Sequence, residues 1–128
     1  MIYQGRRDPS QLFKALETIN SNVPIRVHFW GRYLGIVNHL SSIYGKEKQV
    51  FVHEPISYRQ SLCVQSQADL LLLLLWNDPR EKGVYTGKLF EYIGAGKKIL
   101  AIGPKDNVAA QLIKERNLGI VTNEIDEI

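Results

Sequence analysis

Residues 68–75 read Ala-Asp-Leu-Leu-Leu-Leu-Leu-Leu, and this run decides the class of fold. Six consecutive leucines show no alternation of apolar and polar residues, so a strand formed here must be buried on both faces. Strands of that kind lie at the centre of parallel sheets whose two faces are covered by helices. The run therefore predicts a central strand in an α/β domain.

On either side of this run, short apolar segments alternate with segments of helical periodicity. Strands are expected at 1–4, 25–30, 49–53, 68–75, 98–102 and 120–122. The segments between them carry apolar stripes and capping residues that are typical of helices. This alternation predicts one three-layer, Rossmann-like domain over residues 1–128. Its doubly wound parallel sheet is expected to have about six strands in the order 3-2-1-4-5-6.

The composition is that of an ordinary globular domain, with 45% hydrophobic and 23% charged residues. The net charge is +3, without the dense stripe of Lys and Arg that nucleic acid requires, so we expect no nucleic-acid partner. Cys63 is the only cysteine, which excludes an intramolecular disulfide and a cysteine-based metal site and fits a reducing compartment. The first residues lack a signal-peptide core and no apolar run spans a bilayer, so the expected location is cytoplasmic.

In a doubly wound sheet, ligands bind beyond the carboxyl ends of the strands, where the strand order reverses. Two loops meet at that edge of the predicted sheet. One follows the first strand and contains Gly5, Arg6 and Arg7, and the other is the segment 76–88. The sequence therefore predicts a single ligand crevice, with Arg6 as one of its positive charges, although pairing of Arg6 with Asp8 is an alternative.

The segment after the leucine strand carries the residue types that a phosphorylated nucleoside requires. Thr86 is predicted to cap a helix that begins at Gly87, so free amides at the helix start can attract phosphate oxygens. Lys88 adds a mobile positive charge beside them. Glu91 lies on the same helix face, where its carboxylate can accept hydrogen bonds from a ribose diol. These residues predict nucleotide binding, with solvated helix side chains as the alternative for Lys88 and Glu91.

Four segments resemble, in their order and spacing, the C-terminal donor-binding domain of a GT-B glycosyltransferase of the group 1 or family 4 type. Residues 3–6 are similar to the glycine-arginine that ends the first strand of that domain, and 68–72 are similar to its alanine-aspartate strand. Residues 87–100 resemble the nucleotide-sugar motif, a helix that carries a glutamate and ends in glycine and a basic residue. Residues 119–121 resemble its final strand.

The resemblance implies that Glu91 binds the ribose hydroxyls, and that Arg6 and the amides at the helix start contact the diphosphate. The donor would be a UDP- or GDP-linked sugar, with no metal or other cofactor. The sequence shows no constellation typical of a catalytic base or nucleophile. This fits a donor-binding domain, since the acceptor and often the general base of such enzymes come from an N-terminal domain or a partner subunit. We therefore expect one domain of a longer or split glycosyltransferase that is inactive alone. A peripheral membrane contact is a further expectation for the full enzyme.

Two positions depart from the family pattern. Gly83 stands where many members carry a second acidic residue that touches the sugar, and residues 9–11 lack the basic residue that usually follows the first glycine-arginine. Lys88 is a candidate to replace that basic charge. These departures leave the identity of the sugar and the stereochemical course of transfer open.

The three histidines are too scattered along the sequence to predict a metal site. His28 is predicted to be a core residue and His39 a helix-surface residue. His53 and Glu54 follow the third strand, where the family places contacts to the base.

Two other functions stay open: a non-catalytic nucleotide- or effector-binding module, and a receiver-like interaction domain. The latter is disfavoured because basic residues stand at 6–7, where a receiver carries an acidic cluster.

Overall fold

The computed structural model describes residues 7–20 and 22–128. Helices and strands alternate within these ranges, and no helix there combines the length and apolar character needed to cross a bilayer. The predicted first strand at 1–4 lies outside the described residues. The elements are α1 (Ser10–Thr18), β1 (Val27–Trp30), α2 (Gly35–Ile43), β2 (Val50–His53), α3 (Tyr58–Gln67), β3 (Leu70–Leu74), α4 (Gly87–Ala95), β4 (Lys98–Ile102), α5 (Val108–Glu115) and β5 (Gly119–Thr122), with single 3₁₀ turns at Pro79–Glu81 and Ile125–Glu127.

All described strand pairs are parallel. β1 pairs with β2, with Val27 opposite Val50, and β4 lies between β3 and β5, with Leu71 opposite Ile99. The three described pairs are also neighbours in the predicted order. The α/β, Rossmann-like class of fold is therefore confirmed, with five strands described where about six were predicted.

β3 is buried on both faces, as its leucine run predicts. Leu71, Leu73 and the adjoining Leu75 pack on one side against α4 and α5. Leu74 faces the opposite side and packs in a cluster with residues of α1 and α2. The same cluster contains residues of β1 and β2, so the two described sheets share one hydrophobic core.

Local sequence signals set several helix ends. The Ser57 hydroxyl accepts from the amide of Gln60 at 3.2 Å, and the Gln60 side chain accepts from the Ser57 amide at 2.9 Å. Gly96 ends α4 in the left-handed conformation, with φ of 68°. The apolar periodicity after the second predicted strand predicts a helix over 32–43, but α2 begins at Gly35. Tyr33 has a left-handed φ of 58°, which is incompatible with a helix that includes it.

Gly119 lies in the segment that resembles the family's final strand, and the structure explains why this residue is a glycine. At the start of β5 its backbone approaches β4 so closely that an added Cβ would collide with the backbone of Ile99. A side chain here would force the two strands apart. Glycine at this position therefore permits the pairing of β4 with β5.

Candidate functional site

The first candidate site is the N-terminus of α4, which follows the carboxyl end of β3. The Thr86 hydroxyl accepts a hydrogen bond from the amide of Leu89 at 3.4 Å, so Thr86 is the N-cap, as predicted. Gly87 is exposed and begins the helix. Within the described part of the chain, the amides of Gly87 and Lys88 have no hydrogen-bond partner. These two donors, together with the helix dipole, form an electropositive end suited to an anion.

Lys88 is an exposed cation beside those amides. Its Nζ lies 5.9 Å from the centroid of the Tyr92 ring, and no carboxylate of the described residues forms a salt bridge with it. Lys82, in the preceding loop, is instead paired with Asp106, which lowers the pKa of that carboxyl. Of these two lysines, Lys88 is therefore the one available to a ligand.

Glu91 lies in the second turn of α4 and is half-buried. One of its carboxylate oxygens, Oε2, accepts a hydrogen bond from Nε2 of Gln65 on α3 at 3.1 Å. Gln65 is buried, and its Nε2 also donates to the hydroxyl of Ser61 at 3.0 Å. The carboxylate of Glu91 is thus oriented by a neighbouring helix. Gln65 is a positioning residue that the sequence did not indicate.

Tyr92 fastens the same helix to the sheet. Its hydroxyl donates to the backbone carbonyl of Leu72 in β3 at 3.0 Å, and the side chain is buried. Burial, with a smaller contribution from the charge of Glu91, raises the pKa of Tyr92 to about 12. Tyr92 is therefore a neutral hydrogen-bond donor at physiological pH, and it fixes the position of the helix that carries Glu91.

A second candidate site is a shallow depression of about 500 Å³ at the carboxyl ends of β1 and β2. Its lining includes Arg32, Tyr33, Asn38, His53 and Glu54. Arg32 and Glu54 are exposed and make no ion pair or side-chain hydrogen bond with any residue in the described ranges. Tyr33 lines the depression although 85% of its surface is exposed.

The His53 ring is held at this depression by two aromatic neighbours. Its Nε2 lies 2.9 Å from Nδ1 of His28, and the two ring planes differ by 11°, so the rings meet end to end through a hydrogen bond. The Trp30 ring stacks on His53 with centroids 4.5 Å apart. The prediction that His28 is a core residue is wrong, because β1 buries Phe29 on one face and exposes His28 on the other. Partial burial, followed by the charges of His53 and Arg26, lowers the pKa of His28.

The structure therefore brings four of the five predicted site residues onto one helix terminus: Thr86, Gly87, Lys88 and Glu91. Arg6, the fifth, lies outside the described residues. In the part of the chain that the structure describes, no group of three or more His, Cys, Asp or Glu side chains is arranged to hold a metal ion.

The sequence matches no protein-family model and no curated protein. In fold, the chain is similar to the crystal structure of WaaG, a glycosyltransferase involved in lipopolysaccharide biosynthesis. The TM-score is 0.71 at 19% sequence identity, and the match covers 96% of this chain but 32% of that chain. The predicted resemblance to a GT-B glycosyltransferase domain is thereby confirmed at the level of the fold. The chain spans about a third of the length of that glycosyltransferase.

Proposed function

We propose that this chain is the donor-binding domain of a glycosyltransferase and that it holds a nucleoside-diphosphate sugar at the N-terminus of α4. The observation that carries the proposal is the arrangement of Glu91 and the helix start. A carboxylate oriented by Gln65 follows, one turn later, two free backbone amides and an unpaired lysine. A ribose diol and a diphosphate require those two kinds of partner at neighbouring positions.

Each group has a separate role. The amides of Gly87 and Lys88, the Lys88 ammonium and Arg6 carry the diphosphate, which is also the leaving group of the transfer. Donors aimed at the leaving diphosphate stabilise the charge that develops as the bond to the sugar breaks. In this arrangement the helix terminus and the basic side chains neutralise the charge of the diphosphate, a role for which other transferases use a bound metal. Glu91 accepts hydrogen bonds from the ribose hydroxyls and fixes the position of the nucleoside.

Sugar transfer requires a second domain. A displacement between two substrates gains much of its rate from holding both in register within a cleft that excludes water. This domain offers one wall of such a cleft, and the acceptor site and catalytic base are expected from an N-terminal domain or from a partner subunit. The proposal is thus one donor-binding unit of a longer or split enzyme, which binds nucleotide sugar alone but transfers nothing.

The test of the donor site is calorimetric titration of the chain with UDP, GDP, ADP and their sugar conjugates. Replacing Glu91 by Ala should weaken binding of the preferred nucleotide by about 1–3 kcal/mol, the range for hydrogen bonds to a charged group. Glu115→Ala is the matched control, because Glu115 is an exposed glutamate near the end of a different helix, α5. Unchanged affinity in Glu91→Ala, with folding intact, would refute the ribose assignment.

A second assay separates a transferase domain from a non-catalytic nucleotide-binding module. The chain is incubated with labelled nucleotide sugars and candidate acceptors, with and without a cognate N-terminal half. We expect turnover only in the mixture. Robust turnover by the chain alone would contradict the proposal that it is one unit of a longer or split enzyme. Nucleotide binding without turnover in the mixture would favour the non-catalytic module.

A further inference from the structure

We propose that a stack of aromatic rings on one face of β1 and β2 is a pH-dependent switch. The aromatic stack consists of His28, Trp30, Phe51 and His53. It is closed while the two imidazoles share a hydrogen bond, and it opens when both of them are protonated. The proposal uses no residue of α4, so it does not depend on the proposed function.

The four rings stand on the two strands as opposite pairs. The parallel register places His28 opposite Phe51 and Trp30 opposite His53. The centroid of the His28 ring lies 4.9 Å from that of Phe51 and 5.5 Å from that of Trp30, with interplanar angles of 17° and 20°. The Trp30 and His53 centroids are 4.5 Å apart, with an angle of 15°. All four rings are thus nearly parallel, and Trp30 stacks on both imidazoles.

The hydrogen bond between the imidazoles limits how many protons the pair can hold. Nδ1 of His28 and Nε2 of His53 are 2.9 Å apart, so at most one of these facing nitrogens carries a hydrogen. In the neutral pair one of them donates and the other accepts. A first added proton goes to a nitrogen that points away, and a charge-assisted hydrogen bond then joins the rings. A second added proton sets two N–H groups and two positive charges face to face, so the rings must separate.

The charges beside the pair increase the repulsion in its doubly protonated state. Arg26 lies two residues before His28 and is exposed, as His28 is. Partial burial, and then the charges of His53 and Arg26, lower the pKa of His28. No carboxylate in 7–20 and 22–128 forms an ion pair with either imidazole. A second proton on the pair is therefore not compensated by an ion pair.

Other elements bring further titratable groups near the two strands. Arg32 and Glu54 line the depression together with His53, and neither forms an ion pair with it. α2 packs on the opposite, core face of the strands, so its exposed His39 does not face the aromatic stack. The doubly protonated pair thus meets the charge of Arg26 without an opposing partner.

The switch operates in the range where histidine titrates. The ordinary pKa of about 6.5 places the change of charge between about pH 5 and 8. Two interacting imidazoles bind their protons in two steps that belong to the pair. The first step leaves the aromatic stack closed. Because the pKa of His28 is lowered from 6.5, the second step, which opens the stack, falls on the acid side of that value.

The experiment follows Trp30 in the full chain between about pH 8 and 5. The chain has two tryptophans, so Trp76→Phe leaves Trp30 as the only tryptophan. The near-ultraviolet circular dichroism of Trp30 should persist near neutral pH and be lost below about pH 6.5, while the far-ultraviolet signal stays constant. Nitrogen NMR of the imidazoles should show two titration steps that His28 and His53 share.

Three variants in the same background separate the pair from its surroundings. His28→Phe and His53→Phe keep an aromatic ring but remove the facing nitrogen, so each should abolish the acid transition of Trp30. His39→Phe is the matched control, because the same change on α2 lies outside the aromatic stack and should leave the transition in place. Far-ultraviolet circular dichroism at neutral pH checks that each variant is folded.

Three results would overturn the switch. The first is an acid transition of Trp30 that persists in a folded His28→Phe or His53→Phe variant. The second is loss of the far-ultraviolet signal over the same pH range, which would mean that the whole domain unfolds. The third, measured on the chain with both histidines present, is independent single titration steps for the two imidazoles or a Trp30 signal that does not change with pH.

Discussion

Replacing Tyr92 by Phe tests how α4 is held against the sheet. The side chain is 8% exposed, and its hydroxyl donates to the Leu72 carbonyl at 3.0 Å. Removal of this hydrogen bond should lower the free energy of unfolding at pH 8 by about 1 kcal/mol. For a chain of 128 residues, that loss corresponds to a decrease in Tm of about 4 °C.

The sign of the effect should reverse in alkali. Burial, and then Glu91, raises the pKa of Tyr92 from 10.0 to about 12, so the folded state favours the neutral phenol. This contribution to stability is complete below pH 10 and is lost as the pH rises through 12, to a total of about 3 kcal/mol for a shift of this size. The loss exceeds what the hydrogen bond contributes. Above about pH 11 the Phe variant should therefore be the more stable protein.

Urea unfolding followed by tryptophan fluorescence at pH 8, 10 and 11.5 measures the difference between the two proteins. Tyr58→Phe serves as the control, because that ring is 66% exposed, and this change should alter stability by less than about 0.5 kcal/mol. A difference between Tyr92→Phe and the parent protein that is the same at every pH would refute the reasoning, since it would mean that the phenol is not buried in the folded state.

Two further predictions concern the candidate site and its surroundings. Gln65→Met keeps the volume of the side chain and removes its bond to Glu91, so nucleotide affinity measured by calorimetry should fall roughly fivefold; an unchanged affinity would show that Gln65 does not position Glu91. The lowered pKa of His28 means that the unfolded chain binds more protons below its ordinary pKa of 6.5, so stability should decrease as the pH falls below that value. Between pH 7.5 and 5, the free energy of unfolding should therefore change less with pH in His28→Phe than in the parent protein. An identical pH dependence in the two proteins would contradict this cause.

The parts of the fold that the sequence predicted are those that depend on neighbouring residues. The leucine run required burial on both faces, and Leu71 and Leu74 indeed pack on opposite sides of β3. The caps at Ser57 and Thr86 and the stop at Gly96 are signals within one turn of the helix end they set. The capping residues lie within a few positions of the helix ends that they set, so they can be recognised in the sequence without a tertiary structure.

The sequence-based predictions failed, or were missing, where contacts between distant elements determine the structure. β1 and β3 are both strands of parallel sheets, yet β1 exposes His28 on one face, whereas residues on both faces of β3 pack into hydrophobic clusters. The hydrogen bond from Gln65 to Glu91 joins residues 26 positions apart on two helices. The left-handed backbone conformation of Tyr33 makes α2 begin later than its sequence pattern predicts, and tyrosine is not a residue type that indicates such a conformation. None of these features has a local signal.

Helix α4 carries its packing residues and its proposed ligand-binding groups on different faces, in a fold shared with a structural neighbour of 19% sequence identity. Leu89 and Tyr92 are buried against the sheet and the neighbouring helix, so they tolerate only changes that preserve packing. Gly87 and Lys88 are exposed and offer backbone amides and a charge, and the amides depend on the helix start and not on side-chain identity. The proposed phosphate site is built from backbone amides, so it should tolerate wide sequence change. Arg32 and Glu54 lie instead on loops, where substitution leaves the packed core undisturbed.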